Sequence, residues 1–217
     1  MKDEIDKLLN NVRIASQGRA ITIIPATKMQ TVSTISSLSS YGFNTFGENR
    51  AQELLDKFGK VDVKWQFIGS LQTNKVKYII DKVDLIQSVD SIRLASEIDK
   101  QSKRIDKIMP ILIEVNIGEE EQKSGILLEQ LDELINYVLQ LANVNLVGLM
   151  TVMPIGASRQ LYLDMASLFN SIRARLHKAD FTVLSMGMSD DYVQAIECGS
   201  TMVRIGRAIF GERNYNK

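Results

Sequence analysis

Two apolar patterns alternate along this chain, and the alternation constrains the fold more than any other feature. Short apolar runs of strand length are separated by segments whose apolar residues recur three and four positions apart, as on one face of a helix. This order is typical of βα units around a parallel sheet. The sequence predicts strands at residues 22–27, 44–46, 64–68, 84–88, 110–116, 145–150, 182–186 and 201–205. Eight such units favour a closed (β/α)8 barrel of the TIM type, in the α/β class, over an open doubly wound sheet.

The segments between the predicted strands carry helical stripes. One stripe places Ala51, Leu54, Leu55 and Phe58 on a face that would pack on the sheet. Residues 5–12 predict an additional N-terminal helix, which either plugs the barrel or flanks it. No linker or shift in composition divides the chain, so we expect residues 1–217 to form a single domain.

Composition and charge exclude several classes of function. Lys plus Arg and Asp plus Glu both number 26, and no basic cluster suggests nucleic acid as a partner. No apolar run approaches the ~20 residues that span a bilayer, so we expect no membrane partner. The single Cys198 and the charged N-terminus indicate a reducing, cytoplasmic location. The one histidine, His177, lies near a predicted helix end, which argues against a His-rich metal site or a Ser-His triad.

Lys28 is the first candidate for chemistry, because it follows the first predicted strand. In β/α barrels the active site lies at the carboxyl ends of the strands. Loss of water around a lysine there disfavours the ammonium form, and the free amine can attack an aldehyde to give a Schiff base. The alternative is that Lys28 only ends its strand and points to solvent.

The loops after the last two predicted strands resemble a phosphate site. Ser189 is predicted to open a helix with acidic residues in its first turn, and Gly206 allows close approach of a ligand to the backbone. Arg204 would project into the barrel mouth or serve in a structural ion pair. An amine facing a phosphate cradle suits pyridoxal 5′-phosphate (PLP), which carries an aldehyde and a phosphate. A cationic Arg204 beside the pyridine nitrogen would keep that nitrogen unprotonated.

Two enzymatic readings use the same residues. A small PLP-dependent racemase or lyase would use Lys28 as its base. A Schiff-base aldolase acting on a phosphorylated sugar would use Lys28 and the phosphate site without a cofactor.

Motifs along nearly the whole chain resemble the pyridoxal phosphate homeostasis protein family. They lie at residues 27–28, 46–53, 65–75, 88–91, 114–116, 123–125, 148–150, 184–191 and 199–206. The fold of this family is similar to the N-terminal barrel of bacterial alanine racemase. By this resemblance Lys28 is the Schiff-base lysine, Asn49 lies near the ring and Arg204 faces the pyridine nitrogen. The resemblance implies that the phosphate is held by Ser189, Gly206 and Arg207.

The sequence departs from the family pattern at two positions. Gln66 stands where we expect His, and Arg207 stands where we expect a small hydroxyl residue. Neither departure touches the lysine. Lys123 and Lys75 are further lysines for which a part in cofactor transfer stays open beside the simpler reading as surface charges.

The resemblance implies a protein of intracellular PLP homeostasis without efficient catalytic turnover. We expect no catalytic residues and no metal. Apo-forms of PLP enzymes are the expected recipients, and we expect a monomer or a weak dimer. The racemase barrel depends on a following β-domain whose tyrosine supplies a second acid or base. The present sequence ends at Lys217, shortly after Gly211, so we expect that second group to be missing.

Overall fold

The structure is a computed structural model that describes residues 1–120 and 122–211. Within those ranges it contains eight parallel strands, one for each predicted apolar run. They are β1 (Thr22–Pro25), β2 (Thr45–Glu48), β3 (Lys64–Phe67), β4 (Leu85–Val89), β5 (Met109–Glu114), β6 (Val144–Met150), β7 (Val183–Ser185) and β8 (Met202–Ile205). The prediction of strands is therefore confirmed for the described part of the chain.

The strands form a nearly closed barrel. Hydrogen bonds order the sheet as β1-β8-β7-β6-β5-β4-β3-β2, so β1 and β2 are its two edges. These edges meet at a parallel bridge between Ala26 and Gly47, where the Thr27 amide donates to the Gly47 carbonyl at 2.9 Å. The predicted TIM-type barrel is confirmed, and its closure brings the ends of β1, β2 and β8 together.

Helices surround the sheet and bury their apolar faces against it. In the described ranges they are α1 (Lys2–Ser16), α2 (Val32–Ser39), α3 (Ala51–Lys57), α4 (Val76–Ile79), α5 (Ile92–Arg104), α6 (Leu128–Val138), α7 (Arg159–Leu176), α8 (Tyr192–Glu197) and α9 (Arg207–Phe210). A short 3-10 turn, Thr73–Lys75, precedes α4. Helix α9 is the short extra helix often found after the last strand of phosphate-binding barrels.

The N-terminal helix α1 flanks the barrel and does not plug it. It packs against α8 and α9, and Asn11 Nδ2 donates to the Tyr192 hydroxyl at 2.9 Å. Ile5 and Leu8 are buried in that contact, whereas Leu9 is exposed. The predicted helix is confirmed, and of the two predicted positions the outer one is correct.

Side chains fill the barrel interior in alternation along each strand. A small cluster of Ile24, Leu85, Leu112, Met150 and Met202 is separate from the larger layer between sheet and helices. Gln87 Nε2 of β4 lies 3.1 Å from Met202 Sδ of β8, although these strands are not neighbours in the sheet. The contact therefore crosses the interior, which is packed and not a pore.

The structure also bears on two sequence predictions, the surface position of His177 and the lack of a membrane-spanning segment. His177 is exposed at the C-terminal end of α7, as predicted. Across residues 1–120 and 122–211, none of the helices is apolar over enough turns to cross a bilayer.

Candidate functional site

A cleft of about 180 Å³ opens at the carboxyl ends of the strands. It contains five of the six residues predicted to bind a cofactor, namely Asn49, Ser189, Arg204, Gly206 and Arg207. Its other walls are Ala26, Ile68, Val152, Met188 and Asp190. Residues from both edges of the sheet and from β7 and β8 meet here because the barrel closes between β1 and β2.

Lys28 lies beside this cleft but not in its lining. It is half-buried in a turn that begins two residues after Ala26, which does line the cleft. The preceding Thr27 is fully buried and is tied to β2 through Gly47. The structure therefore places Lys28 just after β1, two residues from the cleft wall at Ala26.

Arg204 is buried at the floor of the cleft. Its Nη1 donates to the Ser185 carbonyl at 3.0 Å and to Ser185 Oγ at 2.6 Å, and its Nη2 donates to the Thr151 carbonyl at 2.8 Å. Burial lowers the pKa of Arg204 to about 10, with Glu114 and Asp191 acting in the opposite direction. The guanidinium therefore stays cationic at neutral pH.

A chain of hydrogen bonds runs from Arg204 across the barrel interior. Ser185 Oγ donates to Gln87 Oε1 at 2.7 Å, and Gln87 Nε2 donates to Gln66 Oε1 at 2.6 Å. Gln66 is the residue that stands where the family pattern suggests His. It is buried and ends this chain as an acceptor, a role that a neutral imidazole nitrogen can also fill.

Glu114 is a buried carboxyl whose charge interacts with that of Arg204; it lies in the motif at residues 114–116, which predicts no role for it. Burial raises its pKa to about 7; the Arg204 charge lowers it and the Asp90 charge raises it further. Asp90 in turn has a pKa raised by burial. The β4 and β5 side of the mouth therefore carries two acids that resist ionisation.

Ser189 provides a junction between the loops after β7 and β8. Its hydroxyl oxygen accepts from the amides of Gly206 and Ala208, both at 3.2 Å. The prediction that Ser189 opens a helix is wrong: α8 begins at Tyr192, and Ser189 lies in the preceding turn. Asp191 holds that turn, because its carboxylate accepts from the Met188 amide at 2.5 Å.

The side chain of Arg207 is half-exposed at the rim of the cleft. Its guanidinium pairs with the carboxylate of Asp190, another residue of the cleft wall. Its backbone starts α9 directly after Gly206. Arg207 thus contributes both a charge at the rim and a place in the loop that Ser189 contacts.

The structure contains a buried ion pair next to Lys28 that the sequence analysis does not predict. Lys57 Nζ lies 2.5 Å from Glu48 Oε1, and both side chains are almost fully buried. Both also bind Thr27, through its carbonyl and its hydroxyl. The available signal was Glu48 itself, a charged residue at the end of a buried strand.

The sequence matches known proteins along most of its length. The family model of the alanine racemase N-terminal domain matches residues 4–214. A pyridoxal phosphate homeostasis protein of Aquifex aeolicus is 42% identical over 202 residues, covering 89% of this chain and 87% of the relative. The chain belongs to the pyridoxal phosphate homeostasis protein family. A family member from Escherichia coli K12 is 38% identical over 216 residues, covering 94% of this chain and 91% of the relative.

Solved structures place this family member among similar barrels. PipY of Synechococcus elongatus, solved with PLP bound, aligns with a TM-score of 0.85 at 26% identity and covers 96% of this chain and 99% of PipY. Alanine racemase of Clostridium difficile aligns with a TM-score of 0.77 at 16% identity, covering 99% of this chain and 58% of the racemase. The racemase likeness shows a shared fold alone.

Proposed function

We propose that this protein binds PLP and acts in PLP homeostasis, holding the cofactor as a Schiff base on Lys28. The observation that carries the proposal is the cleft in which Arg204, Ser189 and Gly206 meet beside the end of β1. PLP is bound in the similar barrel of PipY, and close relatives are named for PLP homeostasis.

The residues of the cleft fit the two ends of the cofactor. The amides of Gly206 and Ala208 converge on one point, now taken by the Ser189 hydroxyl, and such convergent donors suit a phosphate. Arg204 supplies a buried cation for the ring nitrogen, and Asn49 lines the cleft on the β2 side. Arg207 adds positive charge at the rim, shared with Asp190.

When bound, PLP supplies an aldehyde and an electron-withdrawing ring. Lys28, which follows β1, would hold the aldehyde end of PLP as a Schiff base, with loss of one water. The buried cation of Arg204 would disfavour a second positive charge on the ring nitrogen and would therefore keep that nitrogen unprotonated. A ring with an unprotonated nitrogen would be a weaker electron sink, which supports holding the cofactor over turning substrates over.

The proposed role extends to supply of PLP to apo-forms of PLP enzymes. It includes residues 1–217 acting as one domain in the cytoplasm, as a monomer or a weak dimer; residues 121 and 212–217 lie outside the described residues. The names of the relatives support a role in homeostasis and not in turnover.

The direct test is the absorbance of the purified protein with PLP. The wild type is expected to absorb at the violet edge of the visible spectrum, and Lys28→Ala is expected to lose this band while its circular dichroism is unchanged. Lys75→Ala, which removes an exposed lysine from the 3-10 turn before α4, serves as the control and is expected to keep the band. A band retained in Lys28→Ala contradicts the assignment, and absence of any band in the wild type favours the aldolase.

A second test separates homeostasis from catalysis. The loaded protein is expected to activate an apo-enzyme at a rate different from that of free PLP at equal concentration. Steady conversion of L- to D-alanine, or of serine to pyruvate, would instead support a racemase or lyase.

A further inference from the structure

Charged side chains bind the backbone on both sides of Lys28. Lys57 Nζ donates to the Thr27 carbonyl at 2.8 Å, and Thr27 Oγ1 donates to Glu48 Oε1 at 2.6 Å. On the other side, the Met29 amide donates to Glu53 Oε2 at 2.7 Å. The turn that carries the lysine is therefore held one residue before it and one residue after it.

These three charged residues form one connected group. Lys57 Nζ lies 2.5 Å from Glu48 and 3.4 Å from Glu53, and the exposed fractions of the Lys57 and Glu53 side chains are 8% and 21%. Hydrogen bonds to ionised groups that are shielded from water are stronger than neutral ones. We call Glu48, Glu53 and Lys57 the α3 clamp, because two of them lie on α3 and the third on the adjoining strand β2.

The backbone at Met29 gives a second, independent observation. Met29 has a φ of 64°, a left-handed conformation that side chains other than glycine rarely adopt. The residue is 53% exposed, so packing against neighbours does little to hold it. Such strain persists only where surrounding contacts enforce it, and the bond from the Met29 amide to Glu53 is such a contact.

We propose that the α3 clamp positions Lys28 so that its amine reaches the aldehyde of PLP, with Glu48, Glu53 and Lys57 as positioning residues. This inference rests on the proposed Schiff base at Lys28. Glu48 Oε2 also accepts from the Asn49 amide at 3.2 Å, so the same carboxylate couples the ends of β1 and β2 on either side of the cleft.

Glu53→Ala is the principal test, because Glu53 lies at the edge of the clamp and its loss leaves the buried Lys57–Glu48 pair intact. We expect the Kd for PLP to rise about tenfold, by loss of the charge-assisted bond that fixes the Met29 turn. The probe for comparison is 4′-deoxypyridoxine 5′-phosphate, which has the ring and phosphate but no aldehyde. Its Kd is expected to change less than about twofold, because its binding does not use Lys28.

Two matched variants control the test. Glu53→Gln keeps an oxygen acceptor at the same place and is expected to recover most of the PLP affinity. Asp56→Ala removes an exposed carboxylate from the same helix, where Asp56 accepts only from Gln52 among the described contacts, and is expected to behave as wild type.

Lys57→Met is a harsher variant, because it leaves the buried carboxylate of Glu48 without its cation. Its thermal unfolding is expected to occur at a lower temperature, so weaker PLP binding in this variant could come from loss of the fold. Glu53→Ala is therefore the variant that tests the proposal. Equal losses for PLP and the aldehyde-free analogue in Glu53→Ala would overturn the positioning role, as would unchanged binding of both. Either result leaves the proposed function standing if Lys28→Ala still loses its violet band; a band retained there overturns both.

Discussion

Arg204 concentrates more buried hydrogen bonding than any other residue of the cleft. Its guanidinium donates to the Ser185 carbonyl and hydroxyl and to the Thr151 carbonyl. A buried cation with this many acceptors holds the ends of β6, β7 and β8 together as well as facing the cleft. Loss of this side chain is therefore expected to lower the free energy of unfolding of the protein without PLP.

Arg204→Met is expected to lower the free energy of unfolding by about 3 to 5 kcal/mol, because it removes the donor to the buried Thr151 carbonyl and to the Ser185 hydroxyl. Urea unfolding followed by circular dichroism measures the change. Arg175→Met breaks an exposed pair with Asp132 and is expected to have a far smaller effect. Equal effects of the two substitutions would show that the Arg204 network contributes little to the fold.

Glu114 gives a prediction about pH. Burial raises its pKa to about 7 from a usual value of 4.5, so between these values the folded state binds more protons than the unfolded chain. The contribution of this group to stability is full below pH 4.5 and is lost as the pH rises to 7 and above.

Glu114→Gln removes that dependence, because the amide does not titrate. The free energy of unfolding of the variant, minus that of the wild type, is expected to increase between pH 5 and pH 8 by up to about 3 kcal/mol. Parallel stability profiles for the two proteins would contradict the raised pKa.

Among the helices and strands, helix α3 shows what the apolar periodicity of a sequence can and cannot predict. The apolar stripe correctly places Leu54 on the buried face, but it also places Phe58 there, and Phe58 is 42% exposed. Lys57 takes the buried position instead, because Glu48 of β2 provides a counter-charge at that point. A helical pattern contains no information about a partner on a neighbouring strand, so the exchange could not be predicted from the stripe.

The loops after β2 and β3 touch through their backbones. A Cβ added at Gly69 would lie 2.4 Å from the Asn49 carbonyl oxygen and 2.7 Å from the Asn49 Cα. Glycine is therefore required here by close approach and not by its own backbone angle. The contact fixes Asn49 at the wall of the cleft.

Gly69→Ala is expected to lower the free energy of unfolding by about 1 to 3 kcal/mol and to weaken PLP binding, because the backbone of Asn49 must shift. Gly47→Ala is the matched comparison, since the three atoms nearest to its added Cβ are side-chain methyls of Ile68 and Ile24 and not backbone atoms. Thermal unfolding and PLP titration check both. A smaller effect at Gly69 than at Gly47 would argue against the backbone contact.

For the molecule as a whole, the barrel could be predicted because each strand and each helix has a recognisable apolar pattern in the local sequence. Each of the eight apolar runs gives a strand, with ends displaced by at most a few residues, such as 110–116 against Met109–Glu114. The site residues lie close together because eight units close the sheet into a barrel, and this closure brings the ends of the first and last strands to one cleft. The positions of Asn49, Ser189, Arg204, Gly206 and Arg207 around one cleft agree with that reasoning.

The interior hydrogen-bond network could not be predicted in the same way. Gln66 stands out in the sequence only as a departure from the family pattern, and no sequence pattern points to its partner Gln87. Their contact depends on which faces of β3 and β4 turn inward and on the register between those strands. That information lies in the closed sheet, not in either segment.

We infer that one cofactor bridges the first strand of the barrel and the last two. A crystal structure of the protein with PLP is the decisive experiment. We expect continuous density from Lys28 Nζ to the aldehyde carbon, with the phosphate against Ser189 and the Gly206 amide. Lys28 directed into solvent, with no phosphate beside Ser189 and Gly206, would show that this binding mode is wrong.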